Sequence, residues 1–301
     1  MHVSALFERI TAQIVAAIES GPGRYEMPWH RWGSALGQPI NAITGRPYRG
    51  VNVLHLWLAA ELEGYPRGRW ATLRQWSAAG GKVRKSERAT PVIFWKTTTA
   101  RSEKPDDEAD LAPRLIGRCY HLFNEAQVEN VQIPEHETRL SPDQRIEAAE
   151  SFIAATGANI RHGGDRAFYS PAADQICLPN FEQFRNPLGY YAVASHELVH
   201  WSGAKHRLDR ELGGRFGAQS YAAEEMVAEI GAAFIAAQLQ LTLEPRDDHA
   251  SYVGSWLQVL RNDSRAILTA AAKAQEAVDY LVGLSNRGRH EGDDISHLVA
   301  A

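Results

Sequence analysis

The chain has 301 residues, of which 44% are hydrophobic and 23% are charged, and its formal net charge is −4. This composition excludes a disordered chain, and the length predicts two domains, each large enough for its own core. No apolar run approaches the roughly 20 residues that a membrane helix needs, so we expect no membrane partner.

The net charge hides a difference between the two halves of the chain. Residues 1–130 carry 17 Lys and Arg against 13 Asp and Glu, whereas the remaining residues carry 15 against 23. A basic half joined to an acidic half predicts that only the first half contacts nucleic acid. The two cysteines, Cys119 and Cys177, are far apart and have no CxxC spacing, which fits a reducing, cytoplasmic environment.

In the first half, hydrophobic spacing predicts helices followed by strands. The expected helices cover residues 1–20, 51–64 and 70–81. A loop is expected around Pro28, Trp29 and Trp32. Two strands are expected within 82–99 and another over 114–128, with a polar surface loop over 101–110 between them.

A basic and aromatic segment covers residues 67–101. It holds nine Lys and Arg residues and one acid, and the interleaved rings are Trp70, Trp76, Phe94 and Trp95. A groove that binds single strands uses cations to follow the phosphates and aromatic rings to stack on bases. Tryptophans also pack in cores, so composition alone leaves both interpretations open. No helix-turn-helix, zinc-finger or zipper pattern indicates binding to a duplex.

The second half is predicted to be mainly helical. A polar, proline-containing linker is expected over residues 132–144. Helices are expected over 145–157, 186–202, 220–239, 248–263 and 264–284. A hairpin is expected over 167–179.

An HExxH motif, His196-Glu197-Leu198-Val199-His200, lies in the helix that begins at Asn186 and Pro187, a good N-cap and first-turn pair. His196 and His200 are four residues apart, so they share one helix face and can bind one metal ion. Glu197 is then placed to act as the general base that accepts a proton from the attacking water. An apolar helix favours this interpretation over chance, because unpaired buried polar groups are costly.

Three residues are candidates for a third metal ligand. His206 completes the metzincin pattern HExxHxxGxxH, although Met226, which follows it, falls in a predicted helix rather than in a turn. Glu225 and Glu229 share one face of the helix over 220–239, and Glu229 interrupts an apolar run. The residues themselves leave all three candidates open.

The segments HELVHWSGAKHRLDR (196–210) and YAAEEMVAEIGAAF (221–234) resemble ArdC-type antirestriction proteins. In the first half, RPYRGVN (46–52), PVIFW (91–95) and YHLFNEAQV (120–128) extend the resemblance to nearly the whole chain. It implies an α+β fold with a single-stranded-DNA-binding domain over 1–131, the linker over 132–144 and a zincin-like metallopeptidase domain over 145–301. It also implies that the chain protects incoming plasmid DNA from host restriction during conjugation.

The resemblance implies that the third ligand is a helical glutamate, expected to be Glu229, with Glu225 beside the ligands or as the alternative. It implies one divalent metal ion, with zinc as the default and Mn or Co as possible occupants of the same ligands. The expected partners are single-stranded DNA and a host restriction component or other protein as peptidase substrate. A DNA-coating protein without proteolysis is the alternative function. The expected DNA contacts are Arg46, Tyr48, Arg49, Asn52, Lys82, Arg84, Lys85 and Lys96.

Overall fold

The computed structural model describes residues 3–20, 27–98, 114–134, 140–184, 186–241 and 250–298. The predicted loop over 101–110 lies outside these ranges. Within them, no helix is both long enough and apolar enough to cross a membrane.

The first half of the chain alternates helices with strands. Its helices are α1 (Val3–Glu19), α2 (Pro28–Leu36), α3 (Val51–Glu63) and α4 (Leu73–Ala78). Its strands are β1 (Ile40–Asn41), β2 (Arg69–Thr72), β3 (Lys82–Val83), β4 (Thr90–Thr98), β5 (Arg114–Asn124) and β6 (Val128–Glu129). One sheet has the order β1-β2-β5-β4, with β1 parallel to β2 and the other pairs antiparallel. The two strands predicted within 82–99 do not pair with each other, because β3 pairs with β6 and β4 with β5.

The prediction of a loop around Pro28 is wrong, because these residues form α2. Proline is compatible with the first helical turn, where its missing N–H has no partner to lose. Trp29 and Trp32 lie three residues apart, on one face of this helix, and are 0% and 1% exposed. Their burial in the core stabilises a helix in a segment that was predicted to be a loop.

The helix predicted over 70–81 is too long, because its first residues belong to β2. The helix α4 begins after Thr72, whose hydroxyl accepts a hydrogen bond from the Gln75 backbone N–H. The Gln75 side chain in turn accepts one from the Thr72 backbone N–H. This reciprocal capping box fixes the change from strand to helix.

The second half is mainly helical, as predicted. Its helices are α5 (Pro142–Ala155), α6 (Pro187–Ser202), α7 (Gly213–Phe216), α8 (Ser220–Gln238), α9 (Ala250–Asn262) and α10 (Ala266–Leu298). Its strands, β7 (Ile160–His162), β8 (Phe168–Ser170) and β9 (Gln175–Leu178), form a sheet in the order β7-β9-β8. The predicted hairpin is confirmed as the antiparallel pair of β8 and β9. The predicted end of the last helix at 284 is too early, and α5 begins within the predicted linker.

Helices from both halves share one hydrophobic core. The helix α8 packs against α6 and α10 from its own half and against α2 from the first half. The Trp57 ring of α3 lies 5.9 Å from the Phe234 ring of α8, centroid to centroid. The α+β fold class is thereby confirmed, while the domain boundaries at 131 and 145 stay a prediction.

Candidate metal centre and nucleic-acid interface

The HExxH motif lies on α6, and the sequence fixes where this helix begins. The Asn186 side chain accepts a hydrogen bond of 3.0 Å from the Gly189 backbone N–H, and Pro187 occupies the first turn. His196 and Glu197 are each 2% exposed. The predicted helix is confirmed, with His196 and Glu197 buried on it.

Two imidazoles and one carboxylate converge on a single point. The Nε2 atoms of His196 and His200 lie 3.0 Å apart, and the Glu225 carboxylate oxygens lie 3.6 and 3.5 Å from them. Among the described residues, this is the one group of three His, Cys, Asp or Glu side chains whose ligand atoms all lie within 4.8 Å of one another. Tetrahedral zinc with bonds of about 2.0–2.1 Å sets its ligand atoms roughly 3.3 Å apart. The donor set therefore fits a divalent cation.

The opposite nitrogens of the two imidazoles face carboxylates. His196 Nδ1 lies 2.9 Å from Glu229 Oε1, and His200 Nδ1 lies 3.2 Å from Glu224 Oε1. If the proton of each imidazole lies on Nδ1, facing its carboxylate, the lone pair is on Nε2. Two such lone pairs 3.0 Å apart would repel each other, and a cation between them would remove that repulsion. This arrangement is a second observation in favour of a metal.

Glu224 is itself held in place by a buried arginine. The Arg210 side chain is 1% exposed, and its Nε donates a hydrogen bond of 2.8 Å to Glu224 Oε2. Burial opposes ionisation of Glu224, but the hydrogen bonds from Arg210 and His200 outweigh it and lower its pKa to about 2. A Cβ at Gly203 would lie 2.6 Å from Arg210 Nη2, so glycine is needed here for close approach.

Glu229 connects the metal centre to the first half of the chain. Its Oε2 lies 2.8 Å from Nε2 of His30, and both side chains are 3% exposed. His30 belongs to α2, and sequence reasoning missed it because this segment was predicted to be a loop. The family resemblance implied Glu229 as the third ligand, with Glu225 as the alternative, whereas the geometry puts Glu225 at the Nε2 atoms and Glu229 behind His196.

The metzincin alternative is not supported by the position of His206. Its side chain is 61% exposed and lies 3.2 Å from Asp174 Oδ2. It is not part of the group formed by the two motif histidines and Glu225. After α6 the chain leaves His206 at the surface, whereas Arg210 contacts Glu224 beside His200.

The centre opens into a cleft of about 830 Å³. Glu197 and the three converging residues line one side, and residues 165–169 with Pro171 line another. The strand β8 is at the edge of its sheet and borders this cleft. An edge strand offers unpaired backbone groups to which an extended peptide can add.

Two of the expected DNA contacts are used inside the fold. The Asn52 side chain donates to the Ile93 carbonyl (2.7 Å) and accepts from the Ile93 N–H (2.9 Å), which ties α3 to β4. Tyr48 is 5% exposed, and its hydroxyl donates to the Trp70 carbonyl at 3.2 Å. Burial raises the pKa of Tyr48 to about 12, against a smaller lowering by Asn41.

The other expected contacts lie at the surface. Arg49 is ion-paired with Asp279 of α10, and Arg84 with Glu87. The remaining four are exposed, namely Arg46, Lys82, Lys85 and Lys96.

The sheet places further exposed residues beside Lys96, one of the expected contacts. Phe94 pairs with Arg118, and Lys96 with Ile116, across β4 and β5. Cross-strand partners and alternate residues share a face, so Tyr120 lies on the same side. All five side chains are exposed. Ile116, Arg118 and Tyr120 alternate with the smaller residues Gly117 and Cys119, and this alternation could have revealed the face.

Comparisons with known proteins agree for both halves of the chain. The N-terminal domain of anti-restriction factor ArdC matches residues 4–132, and a zincin-like metallopeptidase family matches residues 147–273. An uncharacterised protein, y4eC, of Sinorhizobium fredii (strain NBRC 101917 / NGR234) is 50% identical over 280 residues, which cover 92% of this chain and 91% of that protein. The DNA primase TraC of Escherichia coli is 35% identical over 93% of this chain, which spans only 27% of the primase.

Two crystal structures of the antirestriction protein ArdC from plasmid R388 are similar to this chain. The metal-free structure has a TM-score of 0.75 and 37% sequence identity, and the match covers 94% of this chain and 98% of that one. The Mn(II)-bound structure has a TM-score of 0.74 and 38% identity, covering 93% and 98%. This chain therefore belongs to the family of ArdC antirestriction proteins.

Proposed function

We propose that this chain is an antirestriction protein that binds single-stranded DNA through its first half and hydrolyses a peptide bond at a divalent metal in its second half. The observation that carries the peptidase is the convergence of His196, His200 and Glu225 beside Glu197 in an open cleft. The protein substrate is a component of the host restriction machinery or another protein that meets the incoming DNA.

We assign the metal to the Nε2 atoms of His196 and His200 and to the Glu225 carboxylate, in preference to Glu229. Two imidazoles and a carboxylate are typical zinc ligands, and the same donors accept Mn or Co. The Mn(II)-bound relative supports a divalent ion without fixing which one. When bound, such an ion would polarise a peptide carbonyl and lower the pKa of water toward about 7.

Residues of the chain supply the other roles in the reaction. Glu197 accepts a proton from the attacking water and delivers it to the leaving amine. Glu229 and Glu224 keep the two imidazoles oriented. A substrate peptide lies along the edge of β8, which sets its carbonyl against the histidines.

Single-strand binding is assigned to the exposed cations and rings of the first half. Arg46, Lys82, Lys85 and Lys96 are exposed, so phosphates can reach them. Because Asn52 has both polar atoms bonded to the backbone of Ile93, we remove it from the contact set. Phosphate contacts make the binding sensitive to salt.

The substitution Glu197→Gln tests the peptidase, with Glu182→Gln on the exposed surface as the matched control. We expect Glu197→Gln to abolish protection of transferred DNA in a restricting host while metal content, measured by elemental analysis, stays at the wild-type level. Glu182→Gln should behave as the wild type. Full protection by the Glu197→Gln variant would contradict proteolysis.

A DNA-coating protein without proteolysis is the second candidate. The exposed basic and aromatic face of the β4–β5 hairpin favours it, because that face does not include the metal centre. In that case Glu197→Gln would protect DNA fully, whereas loss of the exposed cations would abolish protection. The two functions thus give opposite results in the same transfer assay.

A further inference from the structure

A cleft on the sheet of the first half has walls made of aromatic rings. Its volume is about 460 Å³, and its lining includes Tyr48, Phe94 and Tyr120. Phe94 and Tyr120 are 44% and 42% exposed. Their ring centroids are 5.3 Å apart, with the planes at 84°. Two perpendicular rings form a corner, in which a flat group can stack on one ring and meet the edge of the other.

The inner wall of the cleft is held by its own hydrogen bonds. The Asn41 amide donates to the Tyr48 hydroxyl (3.4 Å) and to Gln75 Oε1 (3.2 Å), while Tyr48 donates to the Trp70 carbonyl (3.2 Å). The side-chain oxygen of Asn41, Oδ1, accepts hydrogen bonds from the backbone N–H groups of residues 43 and 44. These bonds fix the shape of the wall before any ligand enters.

The rim of the cleft is basic. Arg46 lines the cleft and is exposed, and Lys96 and Arg118 flank Phe94 on the same face of the β4–β5 hairpin. A flat slot beside cations suits a ligand that has an aromatic face and a negative charge. A nucleotide within a strand has both features.

We propose that this cleft receives one unpaired base of a single DNA strand in the corner formed by Phe94 and Tyr120, stacked on one ring and facing the edge of the other, with Arg46 on the adjoining phosphate. The proposal rests on the proposed single-strand binding and names where a base is held. Because the Asn41 and Tyr48 polar groups are already bonded within the wall, recognition depends on stacking. The site therefore accepts every base with similar affinity.

The test compares Phe94→Ala and Tyr120→Ala with Phe181→Ala, an exposed phenylalanine (40%) in the second half. The probe is a fluorescent oligothymidine of about 15 nucleotides, followed by anisotropy at low salt. We expect the two cleft variants to bind about 5- to 100-fold more weakly than the wild type. Phe181→Ala should bind as the wild type does. Phe94→Trp should keep close to wild-type affinity because it keeps a stacking face.

A second probe of the same length carries abasic sites and so keeps the charge without the bases. The wild type should bind it more weakly than oligothymidine, whereas Phe94→Ala should bind both equally. Phe94→Ala should also keep the wild-type salt dependence, while Arg46→Gln should reduce the slope by about one.

Two outcomes separate this inference from the proposed function. If the wild type binds oligothymidine and both cleft variants bind it equally well, the cleft is not a base site, although single-strand binding stands. If the wild type binds no oligonucleotide, both proposals are wrong.

Discussion

At the scale of single residues, the metal centre depends on which nitrogen of each imidazole carries the proton. A proton on Nδ1 of each imidazole, facing Glu229 behind His196 and Glu224 behind His200, would leave both Nε2 atoms with lone pairs directed at the same point. Arg210 keeps Glu224 ionised and fixed. The two carboxylates therefore support the proposed role of both imidazoles as metal ligands.

Another buried histidine, His55 on α3, predicts how stability depends on pH. Burial, followed by the nearby cation of Arg9, lowers the pKa of His55 to about 4, against a smaller opposing effect of the Pro91 carbonyl. The unfolded chain binds this proton near pH 6.5, so the folded state is destabilised as pH falls from about 6.5 to 4.

We expect His55→Leu to reduce this loss of stability by up to about 3 kcal/mol, because leucine removes the titrating group. The measurement is the free energy of urea unfolding at pH 7 and pH 4.5 for the metal-free wild type and variant. Equal losses in the two proteins would show that His55 does not titrate in this range.

At the scale of elements, the packing of α6 against α8 decides which glutamate lies at the Nε2 atoms of the two motif histidines. Gly231 on α8 faces Val199 on α6, and a Cβ at Gly231 would lie 2.7 Å from Val199 Cγ2. The missing side chain lets the helices approach, which brings Glu225 to the two Nε2 atoms and Glu229 to His196 Nδ1.

We expect Gly231→Ala to destabilise the fold by about 1–3 kcal/mol, because the added methyl forces the helices apart. It should also weaken metal binding, since Glu225 moves away from the histidines. Adding Val199→Ala makes room for the methyl and should recover part of both losses. Denaturant unfolding and Mn(II) titration of the single and double variants measure this coupling, and simple additivity of the two effects would contradict it.

The same packing explains why sequence reasoning identified the HExxH helix but could not distinguish the positions of Glu225 and Glu229. His196 and His200 were predicted from spacing within one helix, and Asn186 and Pro187 marked where that helix begins. Glu225 and Glu229 lie four residues apart on one face of α8, so periodicity treats them alike. Only the position of α8 along α6, set by the contact of Gly231 with Val199, distinguishes them.

At the scale of the whole molecule, the two halves share both an apolar core and a polar network. The Trp57 and Phe234 rings meet in the core, and His30 of α2 contacts Glu229 behind the metal ligand His196. Sequence reasoning treated the halves as separate because their charge and motifs differ. It missed the contact of His30 with Glu229 because α2 was not predicted. This helix is stabilised by the burial of Trp29 and Trp32, which depends on the tertiary structure.

We expect His30→Leu to weaken metal binding by up to about 10-fold, although His30 is not a ligand. Loss of this contact leaves buried Glu229 less well oriented toward His196, and partners of ligands tune metal affinity. His30→Gln, which keeps a hydrogen-bond donor, should bind more tightly than His30→Leu. Titration of the chelator-treated variants with Mn(II) measures both affinities. Wild-type affinity of His30→Leu for Mn(II) would show that His30 does not affect the metal centre.

The most direct test of the central claim is metal affinity after replacement of each candidate glutamate. Titration calorimetry with Zn(II) and Mn(II) would compare Glu225→Gln, Glu229→Gln and the surface control Glu182→Gln with the wild type. We predict the largest loss for Glu225→Gln, a loss of about 10- to 100-fold for Glu229→Gln, and none for the control. Wild-type affinity in Glu225→Gln, or a wild-type chain that binds neither ion, would contradict the assignment of this metal centre.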